Sequence, residues 1–188
     1  MACAMSDISP STASRTAATP ATMPITSRVT NRIHSNVRKP RRWRGRGGKG
    51  LARVLERRTG SDGGHETAIP ELALWRFSQP TDLTPNMQQP AIYVVVQGRK
   101  HVEFGGETYV YDPSQYLAVS VELPVMSRVA EATPDAPYLC MTLRIDAREL
   151  AALIVETGGP TPRDDHDGRG LFVSALEAPL LDGLLRLV

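Results

Sequence analysis

The chain has 188 residues, enough for one domain of ordinary size or one domain with a long tail. Its 41% hydrophobic and 22% charged residues sit near the globular average, yet the net charge of +2 conceals a divided chain. Residues 1–58 carry thirteen Lys and Arg against two acidic side chains, a net +11, whereas 59–188 carry nine against eighteen, a net −9.

No apolar run approaches the roughly 20 residues that span a bilayer, so no membrane partner is expected. Cys3 and Cys140 lie far apart in unlike contexts, which leaves neither a disulfide framework nor a zinc cluster. The N-terminus lacks the apolar core of a secretory signal, and no apolar stretch follows the Arg41-Arg42 pair as twin-arginine export would need. The expected setting is cytoplasmic, with reduced thiols.

Residues 1–27 are Ala, Ser, Thr, Pro and Met without periodicity, and from Arg28 the chain turns basic, culminating in RKPRRWRGRGGKG. Such a segment cannot bury enough apolar area to offset its ordering entropy. A disordered tail over 1–50 is predicted. Trp43 among arginines could stack on a base while the guanidinium groups neutralise phosphates, but a charge run without a motif is first a solvated segment.

Beyond it, Leu51, Val54 and Leu55 fall at i, i+3 and i+4, a short amphipathic helix over 51–58 that the 60–64 GSDGG cluster ends. The period then changes to two. Runs at 72–78, 91–97, 101–104, 108–111, 115–121, 125–132 and 138–145 alternate or are rich in β-formers, with turn signals between them. Close spacing without helical interruption predicts a mainly β fold, an antiparallel sandwich or small barrel. Gly105-Gly106 reads as a tight hairpin turn. Asp146 with Glu149 has the spacing of a helix-capping pair, and Leu150, Leu153 and Ile154 line one face of the helix that follows, over about 146–157. A polar loop over 157–170 and an apolar helix over about 177–188 complete the chain.

Residues suited to chemistry are sparse. A metal site in a small β fold needs three or four N/O ligands, and His101 lacks a second His one residue away, although Glu103 shares its face. The Asp164-Asp165-His166-Asp167 run lacks the spacing of a calcium loop. Cys140 alternates within a strand as a small buried residue would. No serine elbow or phosphate loop occurs, so no catalytic residue, metal or cofactor is expected.

The strings TAIPELALWRFSQPT, YVVVQGRKHVEFGGETYVYDPSQYLAVSVELPV and EATPDAPYLCMTLRID resemble the N-terminal domain of AraC-type transcriptional regulators. The likeness runs from about Leu51 to Val188, making 51–188 one domain, and leaves 1–50 without a counterpart. It implies a cupin-like antiparallel β-barrel over about 67–145 followed by α-helices. Such a domain senses a small-molecule effector or forms a homodimer. It also implies a C-terminal pair of helix-turn-helix units for DNA, absent here, so the chain reads as a regulator truncated before its DNA-binding module. Two alternatives are a metal-dependent cupin enzyme, of dioxygenase or isomerase type, and a nucleic-acid-binding protein acting through the Arg-rich tail.

An effector pocket should be apolar with a few orienting polar groups. Strand parity groups Tyr93 with Val95 and Gln97, Tyr116 with Ala118 and Ser120, and separates Cys140 from its aliphatic neighbours Leu139 and Met141. The sets of mixed character suit a ligand wall, so Tyr93, Tyr116, Ser120 and Cys140 are the expected effector contacts, with His101 near the mouth. Parity leaves open the opposite placement, on an outer face or a dimer contact, because it does not say which face is inside.

Overall fold

In the computed structural model, residues 46–159 and 169–188 are described, and all of them belong to one compact unit. The predicted disorder of 1–45, including Trp43, and the acidic run at 164–167 lie outside the described residues.

Helix α1 (Arg46–Arg58) opens the described chain. It starts before residue 51, so residues 46–50, predicted as tail, are helical. Leu51 and Leu55 are fully buried, and a Cβ at Gly50 would stand 3.9 Å from the Leu185 side chain. Packing of this apolar stripe outweighs the low helix propensity of the glycines.

Ten strands and two further helices follow: β1 (Gly63–Glu66), β2 (Leu72–Phe77), β3 (Thr84–Gln88), β4 (Ala91–Gln97), β5 (Arg99–Phe104), β6 (Glu107–Tyr111), β7 (Gln115–Val119), β8 (Leu123–Glu131), β9 (Tyr138–Arg144), α2 (Ala147–Thr157), β10 (Leu171–Ala175) and α3 (Ala178–Leu187). Six strands form one antiparallel sheet in the order β1-β2-β9-β4-β7-β10, and four form a second in the order β3-β8-β5-β6. The two ladders remain separate among the described residues, so of the forms that the strand spacing allowed, the protein takes the sandwich rather than the closed barrel.

Two cores give the molecule three layers. Between the sheets lie Val95, Val102, Tyr111, Leu117, Val125 and Tyr138. On the other side of the large sheet, Leu72, Leu74, Val94 and Met141 meet Leu51 and Leu55 of α1 and Leu181 and Leu184 of α3. The doubly covered large sheet explains why β4 is apolar on both faces.

Local chemistry fixes the connections. Gly105 and Gly106 both take positive φ, 59° and 79°, in the tight β5–β6 turn. Gly98 carries the chain from one sheet to the other at φ 83°, and a Cβ there would fall 2.4 Å from the Glu131 carbonyl oxygen. Asp146 caps α2 by accepting the backbone N–H groups of Arg148 at 2.7 Å and Glu149 at 3.2 Å. Helix α2 buries none of its residues, and its Leu150, Leu153 and Ile154 stripe faces solvent.

Candidate functional site in the inter-sheet cavity

Antiparallel pairing places directly opposed residues on one face of a sheet. In the large sheet the register Trp75↔Cys140↔Val95 and Ala73↔Thr142↔Tyr93 sets one row of side chains toward the small sheet. In the small sheet, Lys100 is paired with Val129 on one side and Tyr111 on the other, so it shares their inward face. Between these walls opens a cavity of about 820 Å³. That volume lies in the range of ordinary small-molecule sites, about 300–1,000 Å³.

Four rings, those of Trp75, Phe77, Tyr93 and Tyr138, line the cavity from the large sheet. Gly64 makes room for the indole, since a Cβ there would lie 2.9 Å from the Trp75 ring. The indole N–H of Trp75 donates to the Thr142 hydroxyl at 3.1 Å, which fixes the ring while leaving 39% of the residue accessible. The Tyr93 hydroxyl donates to the Gln89 carbonyl at 3.0 Å and accepts the Gln89 N–H at 3.2 Å. Burial pushes the Tyr93 phenol up to about 12, so it stays protonated.

The polar groups of this interior are short of partners. Both amide atoms of Gln88 and the hydroxyls of Tyr111 and Tyr138 are buried without a hydrogen bond. Lys100 lines the cavity, and the ion pairs among the described residues, Arg76–Asp62, Arg99–Glu131 and Arg169–Glu107, leave it out. Burial lowers its pKa from the usual lysine range. Burial also raises the Cys140 thiol, and raises the Tyr111 and Tyr138 phenols well above the usual value. The thiol is therefore protonated at neutral pH and a poor nucleophile, while the phenols are neutral donors.

The residues expected at an effector site are divided by the fold. Tyr93 and Cys140 line the cavity. Tyr116 does not. Pairing of Tyr93 with Leu117 and of Val94 with Tyr116 turns the parity of β7 over relative to the expectation, so Leu117 and Val119 face the small sheet. Tyr116 packs instead on the helix side, its ring 6.5 Å from that of Phe172 in an edge-on arrangement. Ser120 is exposed, and its hydroxyl donates to the Gly170 carbonyl at 3.3 Å, next to the backbone bond that starts β10. His101 belongs to the outer face of the small sheet, opposite Lys100 and Val102. There the Arg128 guanidinium donates to its Nδ1 at 3.3 Å. Burial, then Arg128 and Arg99, lower the His101 pKa and favour its neutral form. Among the described residues no cluster of three His, Cys, Asp or Glu side chains is assembled.

Lys100, Gln88 and Tyr138 are the cavity residues that sequence reasoning passed over. Lys100 had a signal: it shares the parity of Val102 and Phe104, so a charge sits in an apolar row.

The described residues thus form a two-sheet β fold backed by helices, with an aromatic-lined cavity between its sheets. The chain belongs to the family of AraC-type transcriptional regulators, by a match of residues 68–188 to the model of their N-terminus. Among solved structures it is similar to an apo ToxT variant from Vibrio cholerae strain SCE256, at 9% identity and a TM-score of 0.44, over 63% of this chain and 48% of that one. It is similar also to a 1.65 Å structure of ToxT from Vibrio cholerae, at 10% identity and a TM-score of 0.42, over 62% and 46% of the two chains. The chain thus spans about half the length of those proteins. No curated protein matches the sequence. Among the described residues no helix is long and apolar enough to cross a membrane.

Proposed function

We propose that the cavity between the two sheets is the effector site of this regulatory domain, and that the protein binds a small molecule without transforming it. The observation that carries the reading is a cavity of about 820 Å³ in which rings line one wall while buried polar groups remain unpaired. Unpaired buried donors each cost about 1–3 kcal/mol, a cost that a ligand able to accept from them removes. A protonated Cys140 and neutral tyrosines suit binding better than nucleophilic or acid–base catalysis.

Tyr93 and Cys140 remain the proposed effector contacts from the expected set. Tyr116, Ser120 and His101 are assigned structural roles at the helix layer, the β10 junction and the outer sheet face. Homodimerisation is assigned to the exposed Leu150, Leu153 and Ile154 stripe of α2, because an 11-residue helix that buries nothing is marginal alone. Two copies of the same stripe are self-complementary about a twofold axis. DNA would be engaged through a helix-turn-helix module, in the cytoplasm.

A melting-temperature screen of small organic molecules tests the effector reading, with Ala73→Phe as the variant that puts a ring into the cavity. Hits that raise the melting temperature of the protein and lose at least tenfold in affinity to Ala73→Phe support it. Hits that bind the variant equally well refute it.

A further inference from the structure

We infer that the ligand of this cavity is an aromatic carboxylate, its anionic end held by Lys100 and its flat body among the rings of the large sheet. The inference rests on the effector reading and adds the ligand's chemical class. Lys100 is placed on the inward face by its pairing with Val129 and Tyr111, and it lines the cavity. Lysine stems usually carry the charge out to water, and a charge turned inward is expensive unless paired. The ion pairs among the described residues leave Lys100 out.

The groups that face Lys100 supply no negative charge. Tyr111 on β6, Tyr93 on β4, and Tyr138 and Cys140 on β9 are all shifted toward their neutral forms by burial. Ser127 and Val129 of β8 do not titrate. The other charged residues lining the cavity, Glu66, Arg128 and Arg144, belong to other positions, and Arg128 is turned to His101. The cavity therefore offers an unpaired cation beside the Gln88 amide and the Tyr138 hydroxyl, which lack hydrogen-bond partners. A carboxylate has two oxygens and about four lone-pair sites, and satisfies a cation and several neutral donors together. A neutral hydroxyl or amide would leave the cation unpaired.

The body of the ligand follows from the opposite wall. Trp75, Phe77, Tyr93 and Tyr138 present rings along this wall, the Trp75 N–H and Tyr93 hydroxyl already taken by Thr142 and Gln89, and Trp75 keeps 39% of its surface accessible. Such a wall favours offset or edge-on contact with another ring.

The test compares matched acids and amides by calorimetry on the full 188-residue chain at neutral pH: benzoate with benzamide, 3-phenylpropanoate with 3-phenylpropanamide, and 2-naphthoate with 2-naphthamide. Each acid that binds is expected to do so at least tenfold more tightly than its amide. Lys100→Met and Lys100→Gln are expected to abolish that preference while still binding the amides, with unchanged circular dichroism spectra as the folding control. Should one variant misfold, the other and the wild-type comparison decide. Equal binding of acid and amide, preference for the amide, or retention of the acid preference by a folded Lys100 variant overturns the inference but leaves the effector reading intact. Failure of every compound, charged and neutral, overturns the inference, while the effector reading is decided by the melting-temperature screen.

Discussion

Gln88→Met separates a residue kept for ligand from one kept for stability. Gln88 is 1% exposed, and neither its amide oxygen nor its amide nitrogen has a hydrogen-bond partner. Its side chain shares the inward face with Leu123, its cross-strand neighbour on β8. Burying an amide without partners costs about 1–3 kcal/mol by mutational measures. Methionine has nearly the same length and volume and no group to leave unsatisfied, so the substitution opens no cavity of note. The variant is therefore expected to be more stable by about 1–3 kcal/mol, and for a chain of this size each kcal/mol raises the melting temperature by roughly 2–4 °C. Differential scanning calorimetry and urea titration measure the gain, and calorimetric titration with 2-naphthoate measures the accompanying loss of affinity. Destabilisation by more than 1 kcal/mol would refute the reasoning, because it would mean that the amide is satisfied in the empty protein.

Leu55→Ala removes a fully buried side chain from the layer between α1 and the large sheet and is expected to cost about 2–5 kcal/mol in urea unfolding; a loss below 1 kcal/mol would detach α1 from the core. Lys100→Met is expected to stabilise the protein at neutral pH, because the lowered lysine pKa means that the unfolded chain binds that proton more tightly. Wild-type stability then rises with pH between the depressed value and 10.5, and the gap between variant and wild type closes over that window in pH-dependent denaturation; a constant gap contradicts it. Leu153→Glu with Ile154→Glu is expected to leave the β fold intact by circular dichroism, since both side chains are exposed, while converting a dimer to the 20.5 kDa monomer in sedimentation equilibrium. A dimer that survives the pair of substitutions removes α2 from the interface.

Every strand with neighbours on both sides was legible in the sequence, and of the four edge strands only β6 was. β2, β4, β5, β7, β8 and β9 show the alternation or apolar runs of doubly paired strands. The strands that pattern reading missed, β1 (GGHE), β3 (TPNMQ) and β10 (LFVSA), all lie at sheet edges. Edges tolerate glycine and proline and need no clean alternation, because one side of their backbone is unpaired. The Asp146 cap and the Gly105-Gly106 turn were legible because each depends on chemistry within a few residues. The cavity lining was legible only in part. Tyr93 and Cys140 reached the cavity, but Tyr116 went to the helix layer, because relative parity between strands is fixed by their register across the sheet and not within either strand.

The claim that ligand enters between the sheets is tested most directly at Trp75, whose indole N–H is held by Thr142 on the cavity wall. In the Trp43→Phe chain Trp75 is the sole tryptophan, so a nitrogen–proton correlation spectrum contains one indole resonance. Titration with 2-naphthoate, or with 2-naphthamide if that is the form that binds, should move this resonance along a saturation curve with the same Kd as calorimetry. Heat of binding with an unmoved Trp75 indole would contradict the placement of the site.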